Sequence, residues 1–562
     1  ARDRQGQPGA PADLGPTGTG TARRAWPGAR HALRPHAPGE RSPGRHRRAL
    51  RTGRRRHLQG HRPGLRRRQP GRSAGSATAA RRRAHPGRRT DAHQHPRHLR
   101  RRRLRGARRG PHRAGGAARQ TGGGSDPRPT HAQRGGCVMA DLSIEFAGIK
   151  SPNPFWLASA PPTDKAYNVV RAYQAGWGGV VWKTLGEDPA AVNVSSRYSA
   201  HFGPNRQVQG INNIELITDR SLEINLREIA QVKKDWPDRA LIVSLMVPCV
   251  EESWKYILPL VEATGADGIE LNFGCPHGMP ERGMGAAVGQ VPEYVEMVTR
   301  WCKTHCSLPV IVKLTPNITD IRQSARAAHR GGADAVSLIN TINSITSVDL
   351  ERMVALPVVG TQSTHGGYCG SAVKPIALNM VAEIARDPQT RGLPICGIGG
   401  IGSWRDAAEF VALGCGAVQV CTAAMLHGFR IVEDMQDGLA RWMDSHGYQR
   451  LSDFSGGAVG NTTDWKYLDI NYQVIARIDQ DACIGCGRCH IACEDTSHQA
   501  IASLPRADGT HRYEVIDAEC VGCNLCQITC PVENCIEMVP QDTGKPYLNW
   551  TQDPRNPYRE AS

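Results

Sequence analysis

Gly265-Ala-Asp-Gly-Ile-Glu-Leu-Asn-Phe273 is a turn followed by a short apolar run that ends in a polar residue. The pattern returns as Gly332-Ala-Asp-Ala-Val-Ser-Leu-Ile-Asn340 and as Gly414-Cys-Gly-Ala-Val-Gln-Val-Cys421. In each, a Gly-Ala or Gly-Cys turn closes a helical stretch and opens a strand. Working outward gives eight strands: Leu157–Ala160, Gly179–Lys183, Leu241–Met246, Gly268–Phe273, Val310–Leu314, Ala335–Asn340, Ile395–Gly399 and Ala417–Cys421. Nearly continuous apolar strands separated by helices belong to a parallel sheet covered on its outer face. Eight such units in about 300 residues match an α/β fold of the (β/α)8 TIM-barrel type. A doubly wound open sheet is the alternative for the same pattern. Leu142–Phe155 reads as a hairpin capping the barrel floor.

Chemistry in such barrels sits at the carboxyl ends of the strands. Here those ends carry Ala158-Ser-Ala160, Lys183-Thr184, Asn272 with Gly274-Cys-Pro-His277 beyond it, Lys313, Asn340-Thr341, Gly399-Gly400 and Cys421-Thr-Ala423. Taken singly, a lysine is a solvated tip, an asparagine a turn former and a cysteine a small buried hydrophobe. Together at one rim they form a candidate site. Gly397, Gly399 and Gly402 spell G-x-G-x-x-G, but on the seventh strand, where the match is a weak sign of dinucleotide binding. The loops after strands seven and eight are the usual phosphate site of a barrel. Gly399, Gly400 and Cys421–Ala423 are therefore read as a cradle of backbone N–H groups for one phosphate. Gly366-Gly367 with Gly370-Ser371 closes on the same phosphate. One phosphate suits FMN better than NAD.

The most specific pattern is carried by cysteine. Cys483, Cys486, Cys489 and Cys493 form C-x2-C-x2-C-x3-C, and Cys520, Cys523, Cys526 and Cys530 repeat it before Pro531. This is the two-cluster ferredoxin spacing, in which the fourth cysteine of each run ligates the other cluster. One [4Fe–4S] cluster then takes Cys483, Cys486, Cys489 and Cys530, and the other takes Cys520, Cys523, Cys526 and Cys493. Zinc ribbons use two separated pairs instead. Glu494 stands where a Pro usually follows the first run, and Cys535 falls outside both runs and is read as structural. Free-thiol and cluster chemistry implies a reducing cytoplasm. Clusters pass single electrons and a flavin turns them into hydride chemistry. No nicotinamide domain is legible, which places NAD(P)H use on a partner.

Three regions follow: 1–138, 139–450 as the FMN barrel and 451–562 as a ferredoxin-like α+β domain with its tail. The whole chain has a net charge of +19. Residues 1–138 hold 36 Arg, no Lys and five acidic residues, and lack Ile, Phe, Tyr, Met and Asn. Such a segment cannot build a core and is expected to be disordered. The missing residue types share A/T-rich codons, so a mis-annotated start before Met139 is the expectation. A basic arm binding nucleic acid or anionic lipid is the alternative. The remainder holds 35 basic and 47 acidic residues, a balance of −12. Neither a nucleic-acid partner nor a membrane is expected for this mildly acidic part, and no apolar run is long enough for a transmembrane helix.

Glu270-Leu-Asn-Phe-Gly-Cys-Pro-His-Gly-Met279, Lys313-Leu-Thr-Pro-Asn-Ile-Thr-Asp320 and Asn213-Ile-Glu-Leu-Ile217 resemble the pyrimidine-reducing half of dihydropyrimidine dehydrogenases, over about residues 139–545. The resemblance implies a heterotetramer with a PreT-like subunit that carries FAD and oxidises NAD(P)H. Electrons then cross the two clusters to FMN, and hydride goes to C6 of uracil or thymine. Cys275 takes the place of the general acid that protonates C5, and His277 that of a proton relay. Asn213, Glu215, Asn272, Asn340 and Thr341 are assigned to the substrate. Ala158, Ser159, Lys183, Lys313, Gly367, Gly399, Gly400 and Thr422 are assigned to FMN, with Lys313 as the cation near N1–C2=O. A thiol with an ordinary pKa of about 8.5 is mostly protonated at neutral pH, as the role requires. Pro276–Gly285 looks like a closing lid. Gly274 departs from the family, which has Ser there, and this removes a substrate hydrogen bond. A dihydroorotate dehydrogenase or other enone reductase on the same scaffold is the competing enzyme, although no Arg is matched to a carboxylate. An electron-transfer module with a vestigial barrel is the competing non-enzyme.

Overall fold

The computed structural model describes residues 140–187 and 191–559. The segment 1–138, expected to be disordered, lies outside the described residues. All eight expected strands form: β1 (Phe155–Leu157), β2 (Gly179–Leu185), β3 (Ala240–Leu245), β4 (Gly268–Asn272), β5 (Val310–Lys313), β6 (Ala335–Leu338), β7 (Ile395–Ile398) and β8 (Cys415–Val420). They close as a parallel barrel in the order β6-β7-β8-β1-β2-β3-β4-β5, not as an open sheet.

The covering helices are α1 (Ala166–Ala175), α2 (Leu222–Asp235), α3 (Glu251–Glu262), α4 (Pro292–His305), α5 (Ile321–Arg330), α6 (Lys374–Ala385), α7 (Trp404–Ala412) and α8 (Ile431–Ser445). Their starts are chemically marked. Ser221 accepts from Ile224 N, Asp320 from Arg322 N, and Ser403 forms a capping box with Asp406. Such caps satisfy amides that a helix leaves unpaired at its first turn. Pro292 occupies the first position of α4, where no N–H is needed.

Side chains alternate along each strand, so every second residue points into the barrel. The inner layer of Trp156, Val181, Ile242, Ile311, Ala335, Cys396 and Ala417 is apolar. The expected hairpin, Ile144–Phe146 paired with Ile149–Ser151, packs onto it. Phe146 meets Trp156 edge-on at 5.7 Å. Two residues further along the strands the interior turns polar, with Lys183, Ser244, Lys313, Ser337 and Gln419. The site therefore stands on an apolar plug, each large member of which contributes about 1.5–3 kcal/mol by burial.

A four-stranded antiparallel sheet of Tyr198–Phe202, Val208–Asn213, Gly366–Cys369 and Ile342–Ser344 adds a further layer that the sequence pattern did not indicate. After α8 the chain builds two antiparallel pairs, β9 (Gln473–Ile478) with β12 (Ile536–Gln541) and β10 (Ile501–Pro505) with β11 (His511–Val515). Helices α9 (Arg488–Thr496) and α10 (Leu525–Thr529) complete this ferredoxin-like part. Each starts after a left-handed residue, Gly487 at φ 72° and Asn524 at φ 68°. No helix among the described residues is long and apolar enough to cross a membrane.

Candidate active site

The strand ends and the added sheet enclose a cavity of about 330 Å³. Its wall contains Cys275, His277, Asn213, Glu215, Asn272, Asn340, Thr341, Ala158, Ser159, Lys183, Lys313, Gly399, Gly400 and Thr422. Residues from seven of the eight strand ends, all but β3, thus meet in one space with the loop after β4 and the added sheet. Gly367 is the exception among the expected residues. Its carbonyl accepts from Asn213 Nδ2 at 3.0 Å, and a Cβ there would stand 2.2 Å from Thr341 Oγ1. Gly367 is a packing position behind two wall residues, and the neighbouring Gly370 and Ser371 reach the wall instead.

Polar side chains link the strand ends around the rim. Thr184 Oγ1 lies 3.0 Å from Ser159 Oγ and 2.9 Å from Ser244 Oγ. Asn272 Nδ2 donates to Thr184 Oγ1 at 2.9 Å, and Asn340 Nδ2 donates to Asn272 Oδ1 at 2.8 Å. Gly274 makes this approach possible, because a Cβ there would lie 2.3 Å from Asn340 Cβ and 2.5 Å from its Nδ2.

Each lysine is held by its own carboxylate. Lys183 Nζ lies 2.6 Å from Glu215 Oε1, which also takes Arg197 Nη1 at 3.2 Å. Tyr198 donates to the other oxygen of Glu215, and burial followed by this bond raises the phenol well above its ordinary pKa. Lys313 Nζ lies 3.2 Å from Glu270 Oε1. Glu270 is fully buried and also receives Ser337 Oγ at 2.9 Å and Gln419 Nε2 at 2.7 Å. Glu270 was read only as part of a motif, yet a carboxylate inside an apolar strand is itself the sign that a buried cation faces it.

The loop after β4 is packed down. Met279 and Met284 are buried with Cys275, Ala191, Ile217 and Met246. Burial pushes the Cys275 thiol up to about 11. Its S–H donates to the His277 carbonyl at 3.4 Å. His277 Nε2 donates to the Glu215 carbonyl at 2.9 Å, which leaves Nδ1 as the lone-pair nitrogen of a neutral ring. Burial lowers the His277 pKa, and Nδ1 is buried without a partner in the cavity wall.

Two observations fit a flavin mononucleotide. Gly399 and Gly400 sit at φ 130° and 74°, and a Cβ on Gly400 would lie 2.7 Å from Lys374 Cβ and 3.0 Å from the Gly370 carbonyl. Gly399 and Gly400 bring bare backbone to the cavity wall, and a side chain at Gly400 would force this turn off Lys374. Gln419 Oε1 is buried and unpartnered in the same wall, as an acceptor awaiting a ring N–H.

The cysteines form two further groups. Cys483, Cys486, Cys489 and Cys530 surround one small cavity, and Cys493, Cys520, Cys523 and Cys526 surround another. These are the two crossed quartets expected from the spacing. None of the described cysteines is in a disulfide.

Fold and site define an oxidoreductase of the dihydroorotate dehydrogenase class: the dihydroorotate dehydrogenase family matches residues 141–443, and the 4Fe-4S dicluster domain matches residues 476–538. The NAD-dependent dihydropyrimidine dehydrogenase subunit PreA of Escherichia coli K12 is 44% identical over 401 residues, which covers 71% of this chain and 96% of that protein. The chloroplastic dihydropyrimidine dehydrogenase (NADP(+)) of Arabidopsis thaliana is 41% identical over 325 residues, 56% of this chain and 76% of that one. The catalytic subunit of dihydroorotate dehydrogenase B (NAD(+)) from Pyrococcus abyssi is 35% identical over 320 residues, 57% of this chain and 99% of that one. The chain belongs to the family of dihydropyrimidine dehydrogenase PreA subunits.

Proposed function

We propose that the chain is the catalytic subunit of an NAD(P)-dependent dihydropyrimidine dehydrogenase that reduces the 5,6 double bond of uracil or thymine. The observation that carries this reading is one cavity joining a buried, protonated thiol to an edge of amide and hydroxyl groups and to two carboxylate-held lysines. Uracil is a neutral ring with alternating carbonyl acceptors and N–H donors. Asn213, Asn272, Asn340 and Thr341 offer the matching donors and acceptors, and Glu215 accepts a ring N–H.

FMN, held by Ala158, Ser159, Lys183, Lys313, Gly399, Gly400 and Thr422, would supply hydride at C6, and clusters on the two quartets would supply the electrons. The residues do the rest. The thiol of Cys275 protonates C5. The packed loop keeps water away from that proton and holds the sulfur in the cavity. Nδ1 of His277 can take up a proton from water and hand it to the Cys275 thiolate after turnover. Lys313 would be the cation that stabilises negative charge on a bound flavin, and Glu270 fixes where its ammonium stands. Gly274 gives no hydroxyl, so Asn272 and Asn340 carry that part of substrate recognition. Two [4Fe–4S] clusters per chain, a PreT-like FAD subunit that oxidises NAD(P)H, a heterotetramer and a cytoplasmic location complete the reading.

The test is turnover. The chain, supplied with electrons from a chemical donor, is expected to form 5,6-dihydrouracil from uracil while leaving orotate unchanged. Reduction of orotate with none of uracil would replace this reading with the dihydroorotate one. Product from neither would leave an electron-transfer module.

A further inference from the structure

The first cluster cavity is lined by five cysteines, not four. The fifth, Cys535, belongs to neither run. It is 2% exposed and immediately precedes β12. Its backbone is pinned: its carbonyl accepts from Asp479 N at 2.8 Å and its N–H reaches the Val532 carbonyl. The sulfur is therefore held in place. Cys483 and Cys530 pack against the same buried group as Cys535 and line the same cavity, and the Cys535 S–H donates to the Asp479 carbonyl at 3.7 Å. The second cavity has no such surplus, because Cys493, Cys520, Cys523 and Cys526 are the only cysteines around it among the described residues.

A four-iron cluster has one terminal position per iron, and four thiolates fill them. A fifth sulfur on the wall of the same small cavity has no iron of its own, yet it stands among the four that do. We propose that Cys535 is a reserve ligand of the first cluster, taking over the iron of Cys530 or Cys483 when that sulfur is lost. The proposal rests on the two-cluster reading above. The exchange is not a redox step: the Cys535 thiol gives up its proton as its sulfur bonds iron, and a displaced thiolate takes one up. Its setting gives it a use. Cys486 is exposed and Cys530 half-buried, so this cavity is open to oxidants that convert thiolate ligands to non-binding acids.

The test uses the full chain without substrate and reads iron, acid-labile sulfide and the low-temperature EPR spectrum of the reduced protein. The native chain is expected to hold about eight irons. Cys530→Ala and Cys483→Ala are each expected to keep them, with a shifted EPR signal for the first cluster. Cys530→Ala combined with Cys535→Ala is expected to fall to about four irons, half the native content. Cys526→Ala, at the cavity without a spare cysteine, is expected to lose its cluster outright. Cys535→Ala alone is expected to keep all the iron. Retained flavin absorbance shows that each variant is folded. The proposal is overturned if Cys530→Ala and Cys483→Ala lose as much iron as Cys526→Ala, if the double variant keeps its iron, or if Cys535→Ala alone loses it. About four irons or none in the native chain would instead strike down the two-cluster reading on which it rests.

Discussion

At Gly274 a missing side chain shapes the site. The glycine lets Asn340 close on Asn272, and a Cβ would enter within 2.6 Å of three Asn340 atoms. Gly274→Ser should therefore destabilise the chain by about 1–3 kcal/mol through overpacking, and should raise KM for uracil as Asn340 is displaced. Thermal unfolding beside steady-state kinetics checks both, and unchanged stability would show that Asn340 moves freely. Cys275 makes a second prediction. Its thiol is pushed up to about 11 by burial, so it stays protonated through neutral and mildly alkaline pH. The thiolate is the nucleophile toward alkylating agents. Labelling of Cys275 by iodoacetamide should be slow at pH 8 and rise about tenfold per pH unit toward the raised pKa. Peptide mass mapping across pH reads this, and a plateau near the ordinary thiol pKa would mean that the loop does not bury the sulfur.

At the scale of elements, the glycine turn after β7 is the proposed seat of the phosphate. Gly400 is left-handed at φ 74° and backs onto Lys374. Gly400→Ala should lower flavin occupancy several-fold while far-UV circular dichroism stays native; full flavin content would place the phosphate elsewhere. The barrel strands were legible because each is an apolar run closed by a polar residue, and the glycine turns before them repeat. Strand ends shifted by one to three residues, since the same polar residues serve strand and loop alike. The antiparallel sheet over the site was not legible. Its strands, such as Val208–Asn213 and Gly366–Cys369, are short and rich in glycine and asparagine, and read as loop. Glu270 shows the same limit. Its partners Lys313, Ser337 and Gln419 lie 43, 67 and 149 residues away, so only the closed barrel reveals that they share one carboxylate. Gly367 looked like part of a phosphate grip because glycine clusters serve both loops and tight strand packing, and one-dimensional spacing does not separate the two.

For the whole molecule, an apolar barrel floor, a polar upper layer and two cysteine quartets place hydride chemistry and electron supply in one chain. Spacing alone carried the two cysteine groups, because three cysteines of each lie within seven residues and the fourth comes from the other run. If the clusters feed the barrel, replacing a quartet ligand should slow electron entry from a reduced partner at least tenfold. It should not slow reoxidation of a flavin already reduced. Stopped-flow absorbance with Cys526→Ala separates the two, and equal slowing of both would mean a general loss of structure. The central claim is that this cavity reduces a pyrimidine with Cys275 as the acid. Its most direct test mixes the anaerobically reduced chain, native and Cys275→Ala, with uracil and separately with orotate while flavin absorbance is followed. The account predicts reoxidation of the native chain by uracil alone and a loss of about 10²–10⁴-fold in that rate for Cys275→Ala with flavin retained. Full-rate reoxidation of Cys275→Ala, or reoxidation of the native chain by orotate and not uracil, would contradict it.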